Sequence, residues 1–226
     1  MTFHVITIFP ELIKPYLKES VLGRGIVRKL VGVKVYNLRD FTRDKHHKVD
    51  DKPYGGGPGM VISVEPLAWA LRKILRGKPK SQTKVLVTTP AGKQFNSQTA
   101  RSLASRYKDV VIIAGRYEGL DERIINILKS KDGFGVRTEK ISIGPYVLTG
   151  GELPALVVID AIVRHIDGVL GKTESLEEKR LGVGVPVYTR PENFRFLEKS
   201  YKTPRPLLSG NHKKIEEWRK KNQKTG

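Results

Sequence analysis

Four short stretches combine glycine, proline and a few polar side chains in a way that suits ligand capture. They are VTTPAGK (residues 87–93), IIAGRYEGLDER (112–123), ISIGPYVLTGGE (141–152) and VDDKPYGGGPGM (49–60). The first three have little side-chain chemistry and much exposed main chain, because glycine lets a backbone approach a ligand closely. Peptide groups of that kind read a flat adenine edge well. Glu118, Asp121 and Glu122 in the second stretch either face such a ligand or decorate the first turn of a helix.

The fourth stretch points elsewhere. It follows RDFTRDKHHK, so Arg43 and His46 precede Asp50, Asp51, Tyr54 and Gly57. Cations for phosphates, an aromatic ring for stacking and carboxylates that accept from base edges make an RNA-contacting loop. The same composition also suits a solvated surface loop. His46 and His47 are adjacent and poorly placed to share one ion, so no metal site is expected. YGGGPGM lacks a following Gly-Lys-Ser/Thr, and LGVGVP (181–186) lacks a third glycine and a preceding strand, so neither is a nucleotide phosphate loop.

Strand-end loops meet only if a sheet gathers them. Apolar, β-branched runs at 3–9, 31–38, 84–89 and 109–114 alternate with patterns of helical period, which predicts an α/β fold with a parallel sheet. Ligands of such sheets sit at the carboxyl ends of the strands. Helices are expected after Ser63, from Asn96 or Ser97 to Tyr107, and over 119–128. The run 157–163 is apolar nearly all round, as in a helix packed on several sides. Its exceptions, Asp160, Arg164 and Asp167, share one stripe. Residues 172–187 read as a linker, charged and then glycine-rich. A tail helix is expected over 211–222, with Asn211 as N-cap and Ile215 and Trp218 as a narrow apolar stripe.

Charge narrows the partner. Lys and Arg number 42 against 23 Asp and Glu, a formal net charge of +19, and such a field draws polyanions, nucleic acid above all. Thermophiles raise Lys and Glu together, which is not the balance here. The tail from Arg190 onward carries 11 Lys/Arg and 4 Asp/Glu. The absence of cysteine excludes disulfides, thiolate zinc sites and a cysteine nucleophile. No apolar stretch reaches the ~20 residues of a membrane span, and the first residues lack a basic leader and cleavage site. A cytoplasmic protein with no membrane partner is expected.

Six segments, IFPE, RDFTRDKHHKVDDKPYGGGPGM, GRYEGLDER, SIGPYVLTGGELPA, VPVYTRPE and LLSGNHKKIEEWR, together resemble the bacterial tRNA (guanine-N1)-methyltransferase family of knotted (SPOUT-like) methyltransferases. They occur in family order over most of the chain. The resemblance implies a deep trefoil knot in an α/β domain (1–171), the linker (172–187), and a short, basic, helical tRNA-binding domain (188–226). It implies a homodimer with shared active sites and S-adenosylmethionine as cofactor. Gly115 and the loop Ile143, Gly144, Pro145, Tyr146, Val147 and Leu148 would hold it, with Thr89, Pro90, Tyr117, Glu118, Gly150 and Gly151 nearby. The substrate would be the guanine just 3′ of the anticodon, and tRNA contacts would fall on Arg43, His46, Asp50, Asp51, Tyr54, Gly57, Arg190, Asn211 and Lys213. Arg164 matches the family's catalytic arginine; an i,i+4 pair with Asp160 is its alternative role.

The chain departs from the family in three places. An acidic residue followed by Ser-Phe usually supplies the general base in the linker, and Lys179 stands at that position here. A one-residue shift makes Glu178 the preferred base, with Glu177 next and another group or a relayed water after them. Glu178 also fits a capping box with Ser175. Pro145 replaces an Asp of the cofactor loop and removes an amide donor. The family continues with further helices beyond IEEWRKKNQ, so a shortened tRNA-gripping domain is expected. Two other functions fit the residues: a knotted methyltransferase acting on another RNA, and an RNA-binding relative without catalysis.

Overall fold

The computed structural model describes residues 1–170 and 184–223. Apolar, β-branched runs build strands β1 (Thr2–Thr7), β2 (Gly32–Asn37), β5 (Thr83–Gln94) and β6 (Asp109–Ala114), and the more polar RTEKIS forms β7 (Arg137–Ser142). They form one sheet in the order β2-β1-β6-β5-β7, every neighbouring pair parallel. The expected α/β fold with a parallel sheet is therefore what the chain adopts. A period of two sends successive side chains to opposite faces. Phe3, Val5, Leu86, Val110 and Ile112 join one core with α1 (Ser20–Val27), α3 (Ser97–Arg106) and α5 (Glu152–Val163). Ile6, Val85, Val87, Val111 and Ile113 join the other with α2 (Val64–Leu75) and α4 (Arg123–Lys129).

Two differences from the sequence reading have physical causes. The helix expected over 119–128 begins only at Arg123, because the preceding residues pair with the short strand β4 (Val61–Ile62). Ile62 N–H donates to Gly119 O and Asp121 N–H donates to Ile62 O. Strand β7, unannounced by its sequence RTEKIS, is an edge strand on which Arg137 is exposed, Glu139 pairs with Lys84 and Lys140 pairs with Glu122. Helix α5 is packed on several sides, as its sequence suggests, and leaves one stripe uncovered among the described residues. Leu153 and Val157 stand 63% and 47% exposed, although the helix is apolar nearly all round.

The chain divides into two compact units, Met1–Leu170 and Gly171–Gly226. The second holds an antiparallel hairpin, β8 (Asn193–Phe196) and β9 (Lys199–Lys202), and helices α6 (Arg205–Leu208) and α7 (His212–Asn222). The hairpin is absent from the sequence reading. Asn211 caps α7 as expected, its side chain accepting from Lys214 N–H at 3.1 Å. Among the described residues no helix is long and apolar enough to cross a membrane.

Candidate active site

The carboxyl ends of β6, β5 and β7 are side by side, and each releases one of the glycine-rich loops. Strand β5 bulges between Thr88 and Lys93, which both pair with Ile141, so the segment 89–92 leaves the ladder. Gly92 sits against the Ile141 backbone, where any Cβ would collide. The three loops enclose a cavity of about 240 Å³.

Loop 143–151 closes this cavity and is fixed at both ends. At its start, the buried Ser142 Oγ donates to Gly144 O at 2.8 Å and accepts from Gly144 N–H at 3.3 Å. At its end, Gly151 N–H donates to Gly115 O at 2.7 Å. A side chain at Gly151 would strike Thr88 Oγ1 and the Gly115 amide. Glycine is the residue that lets the head of α5 rest on the ends of β5 and β6.

A buried ion pair reinforces this junction. Arg116 Nε donates to Glu152 Oε2 at 2.9 Å, and its Nη1 donates to Thr149 O at 3.1 Å. The guanidinium also lies 4.6 Å from the centre of the Phe9 ring. Glu152 is only 2% exposed, and its Oε1 accepts from Thr7 Oγ1 at 2.7 Å. The pair ties β1, β6 and α5 together at the cavity floor. Sequence reasoning missed both residues. The available signal was Glu152 itself, an acid at the head of an otherwise apolar helix.

The 49–62 segment borders the same site. Glu118 N–H donates to Met60 O at 3.0 Å, and the Glu118 side chain packs where a Gly59 Cβ would stand. The short strand β3 (Asp50–Asp51) pairs antiparallel with β4, leaving 52–60 as the connecting loop. Gly55, Gly56, Gly57 and Gly59 all take positive φ there, a region open to glycine at little cost. Tyr117 also has positive φ, 56°, unusual for an aromatic residue and a sign of a tightly determined turn. Burial, together with the nearby Asp50 carboxylate, raises the phenol above its ordinary pKa. One residue expected at the cofactor and one expected at RNA are thus neighbours.

The structure brings most of the expected cofactor set together. Thr89, Pro90, Gly115, Tyr117, Glu118, Ile143, Tyr146, Val147, Leu148, Gly150 and Gly151 line the cavity. Gly144 is buried beneath the Tyr146 ring and Pro145 is exposed, and neither belongs to the lining. Glu122, one of the three acids that the sequence left between facing a ligand and decorating a helix turn, lines it, and Lys140, Arg116 and Pro154 do so without having been anticipated in that role. Among the expected RNA contacts of the first unit, Arg43, His46, Asp51 and Tyr54 are exposed and Asp50 is half-buried. The Arg43 guanidinium stacks 4.8 Å from the Trp69 ring centre. Arg190, Asn211 and Lys213 are exposed in the second unit. Glu177, Glu178 and Lys179 lie outside the described residues.

Arg164 is not in the cavity lining. It is the C-cap of α5, whose twelve residues begin at the cavity and end about 18 Å away. That distance exceeds the span of an arginine side chain. On the helix surface Arg164 continues the stripe of Leu153, Val157 and Asp160. Tyr16 Oη donates to Asp160 Oδ2 at 3.5 Å, and Phe9, Leu12 and Tyr16 are further exposed apolar or aromatic residues of this unit.

The whole chain, residues 1–226, matches the family described as tRNA (Guanine-1)-methyltransferase TrmD. A protein of Clostridioides difficile named tRNA (guanine-N(1)-)-methyltransferase is 44% identical over 223 residues, covering 97% of this chain and 91% of that protein. Its namesake in Dictyoglomus turgidum is 46% identical over 220 residues, 96% of this chain and 82% of the relative. The Geobacter sp. (strain M21) protein of that name is 45% identical over 226 residues, 99% and 85%. With no residue outside the match and nearly half of the positions identical to these relatives, the chain belongs to the tRNA (guanine-1)-methyltransferase TrmD family.

Proposed function

We propose that this chain is a cytoplasmic enzyme that methylates N1 of the guanine just 3′ of the tRNA anticodon, with S-adenosylmethionine as donor. The observation that carries the reading is the cavity at the ends of β6, β5 and β7, walled by backbone and closed by the Ser142–Gly151 loop. Its residues fit that donor. Peptide groups at 115–119 and 143–149 suit a purine edge, Tyr146, Val147 and Leu148 give apolar cover, and the carboxylates of Glu118 and Glu122 complement cationic groups. The return of the chain from β7 across β5 to Gly115 supports a trefoil knot in the first unit.

The donor, when bound, supplies a methyl group already activated on sulfonium. The protein must then orient guanine, accept the N1 proton and neutralise the charge that develops on O6. A carboxylate at Glu178, or at Glu177, takes the proton. A guanidinium offset toward O6 holds the developing anion, and Arg164 is the residue for that task. Because α5 carries Arg164 away from its own cavity, the arginine serves the cavity of a second copy. The exposed stripe of Leu153 and Val157 leading to Arg164 supports a homodimer packed along α5. The basic second unit, with Arg190, Asn211 and Lys213, together with Arg43, His46, Asp50, Asp51, Tyr54 and Gly57, contacts the tRNA.

The test is methyl transfer from labelled S-adenosylmethionine to tRNA transcripts carrying guanine or adenine 3′ of the anticodon. Incorporation with guanine alone is expected. Incorporation into other RNA, or binding without turnover, overturns the reading.

A further inference from the structure

We propose that the β8–β9 hairpin is a stacking platform for unpaired RNA bases. All eight of its strand residues are exposed. Phe194 and Phe196 lie two residues apart and therefore on one face, with rings 6.3 Å apart and 15° from parallel. Tyr201 pairs directly across from Phe194, and Lys199 across from Phe196. This face thus presents three aromatic rings and a lysine. The rings are 53%, 58% and 55% exposed. Asn193, Arg195, Ser200 and Lys202 occupy the other face.

A two-stranded ribbon is marginally stable alone, and three rings in water are an unfavourable use of aromatic surface. Both features are accounted for if the face is covered by a partner. The surrounding charge selects which partner. Arg190, Arg195, Lys199, Lys202 and Arg205 outnumber Glu192 and Glu198, so the face is apolar in its rings and cationic at its margins. A protein surface has no general need for that combination, whereas single-stranded RNA offers stackable bases on a phosphate backbone. Aromatic residues displayed on a strand, each taking one base, are a recurring solution for unpaired RNA. The inference deepens the tRNA reading, on which it rests for the RNA that is bound, by assigning loop nucleotides to these rings.

Leucine substitution separates base stacking from apolar docking, since leucine keeps apolar area but offers no π-face. The experiment titrates full-length wild type, Phe194→Leu/Phe196→Leu and Phe196→Trp with a short unstructured RNA carrying 2-aminopurine, and with an RNA duplex of equal length. The expected result is single-strand binding weakened about tenfold in the leucine variant, with aminopurine quenching lost, duplex binding unchanged and the tryptophan variant like wild type. Circular dichroism and a thermal melt establish that both variants fold. Wild-type single-strand affinity in the leucine variant overturns the proposal, and so does a change of oligomeric state without change in RNA affinity. Methylation of guanine-bearing tRNA by wild type is measured in parallel. If methylation holds and the platform result fails, the platform alone is wrong; the reverse pattern leaves the platform standing and removes the tRNA reading.

Discussion

Arg116 and Glu152 are 36 residues apart in the chain, yet they meet at 2.9 Å where β6 and α5 leave the sheet. Their side chains are 17% and 3% exposed, so each charge depends on the other in place of water. Glu152→Ala leaves a buried guanidinium without its carboxylate and Thr7 Oγ1 without its acceptor. Breaking a buried pair from one side costs about 3 kcal/mol or more. We expect chemical denaturation to show that loss, and calorimetry to show weaker donor binding, because Thr149 and Gly150 depend on Arg116 for position. A stability change under about 1 kcal/mol would contradict the role given to the pair.

A second buried network predicts a pH dependence. The carboxylate of Asp109 can only accept, so His4 Nε2–H donates to Asp109 Oδ1 at 3.0 Å and Nδ1 accepts from the Tyr36 hydroxyl at 3.1 Å. Burial is the largest influence on His4 and lowers its pKa below 6.5, against the upward pull of Asp109. The unfolded state therefore binds a proton first as pH falls. Stability is complete above about pH 6.5 and declines below it as the pH approaches the folded pKa. Asp109 is itself held low by Lys78 and His4, against the opposing effect of burial, so its contribution is lost only in stronger acid. Melting temperatures measured from pH 7.5 to pH 5 should fall in wild type and fall less in His4→Gln. Parallel curves for the two proteins would remove His4 as the cause.

How much of this was readable from sequence follows from the range of the interactions. Strands β1, β2, β5 and β6 carry local apolar, β-branched runs and are legible. Strand β7 is not, since Arg137, Glu139 and Lys140 hide an edge strand whose pairing with β5 is a tertiary fact. The glycines of the cavity could be found because each marks a strand end. Arg116 and Glu152 could not be paired, because nothing local links them. Phe194, Phe196 and Tyr201 were obscured by the charges between them, which drew attention to the tail's net charge instead of its alternation. The apolar run of α5 suggested a helix packed on several sides. The exposure of Leu153 and Val157 became visible only once the chain was folded.

Placement of Arg164 at the far end of α5 predicts complementation between copies. Arg164→Ala removes the guanidinium but leaves the cavity intact. Gly151→Ala disrupts the cavity wall, through collision with Thr88 Oγ1 and the Gly115 amide, but keeps the Arg164 guanidinium. Each variant alone should lose methylation by a hundredfold or more, on the order of a removed oxyanion donor. On the proposed homodimer, subunit exchange would make half of the dimers mixed, each with one complete site, so about a quarter of wild-type activity should return. Mixtures as inactive as their components would mean that Arg164 serves its own chain or no site at all.

The proton acceptor is the last open assignment, and its logic is that of charge. A lysine ammonium has no lone pair to take the N1 proton, so the proposed acceptor is an acid beside Lys179. Glu178→Gln preserves size and removes basicity. Its single-turnover rate should fall by about 10²–10⁴-fold, the usual contribution of general base catalysis, while tRNA and donor affinities stay within twofold. Glu177→Gln should be near wild type if Glu178 is the base. The reverse pattern moves the role by one residue. Wild-type rates in both variants would eliminate the two glutamates together and leave another group or a relayed water as the acceptor.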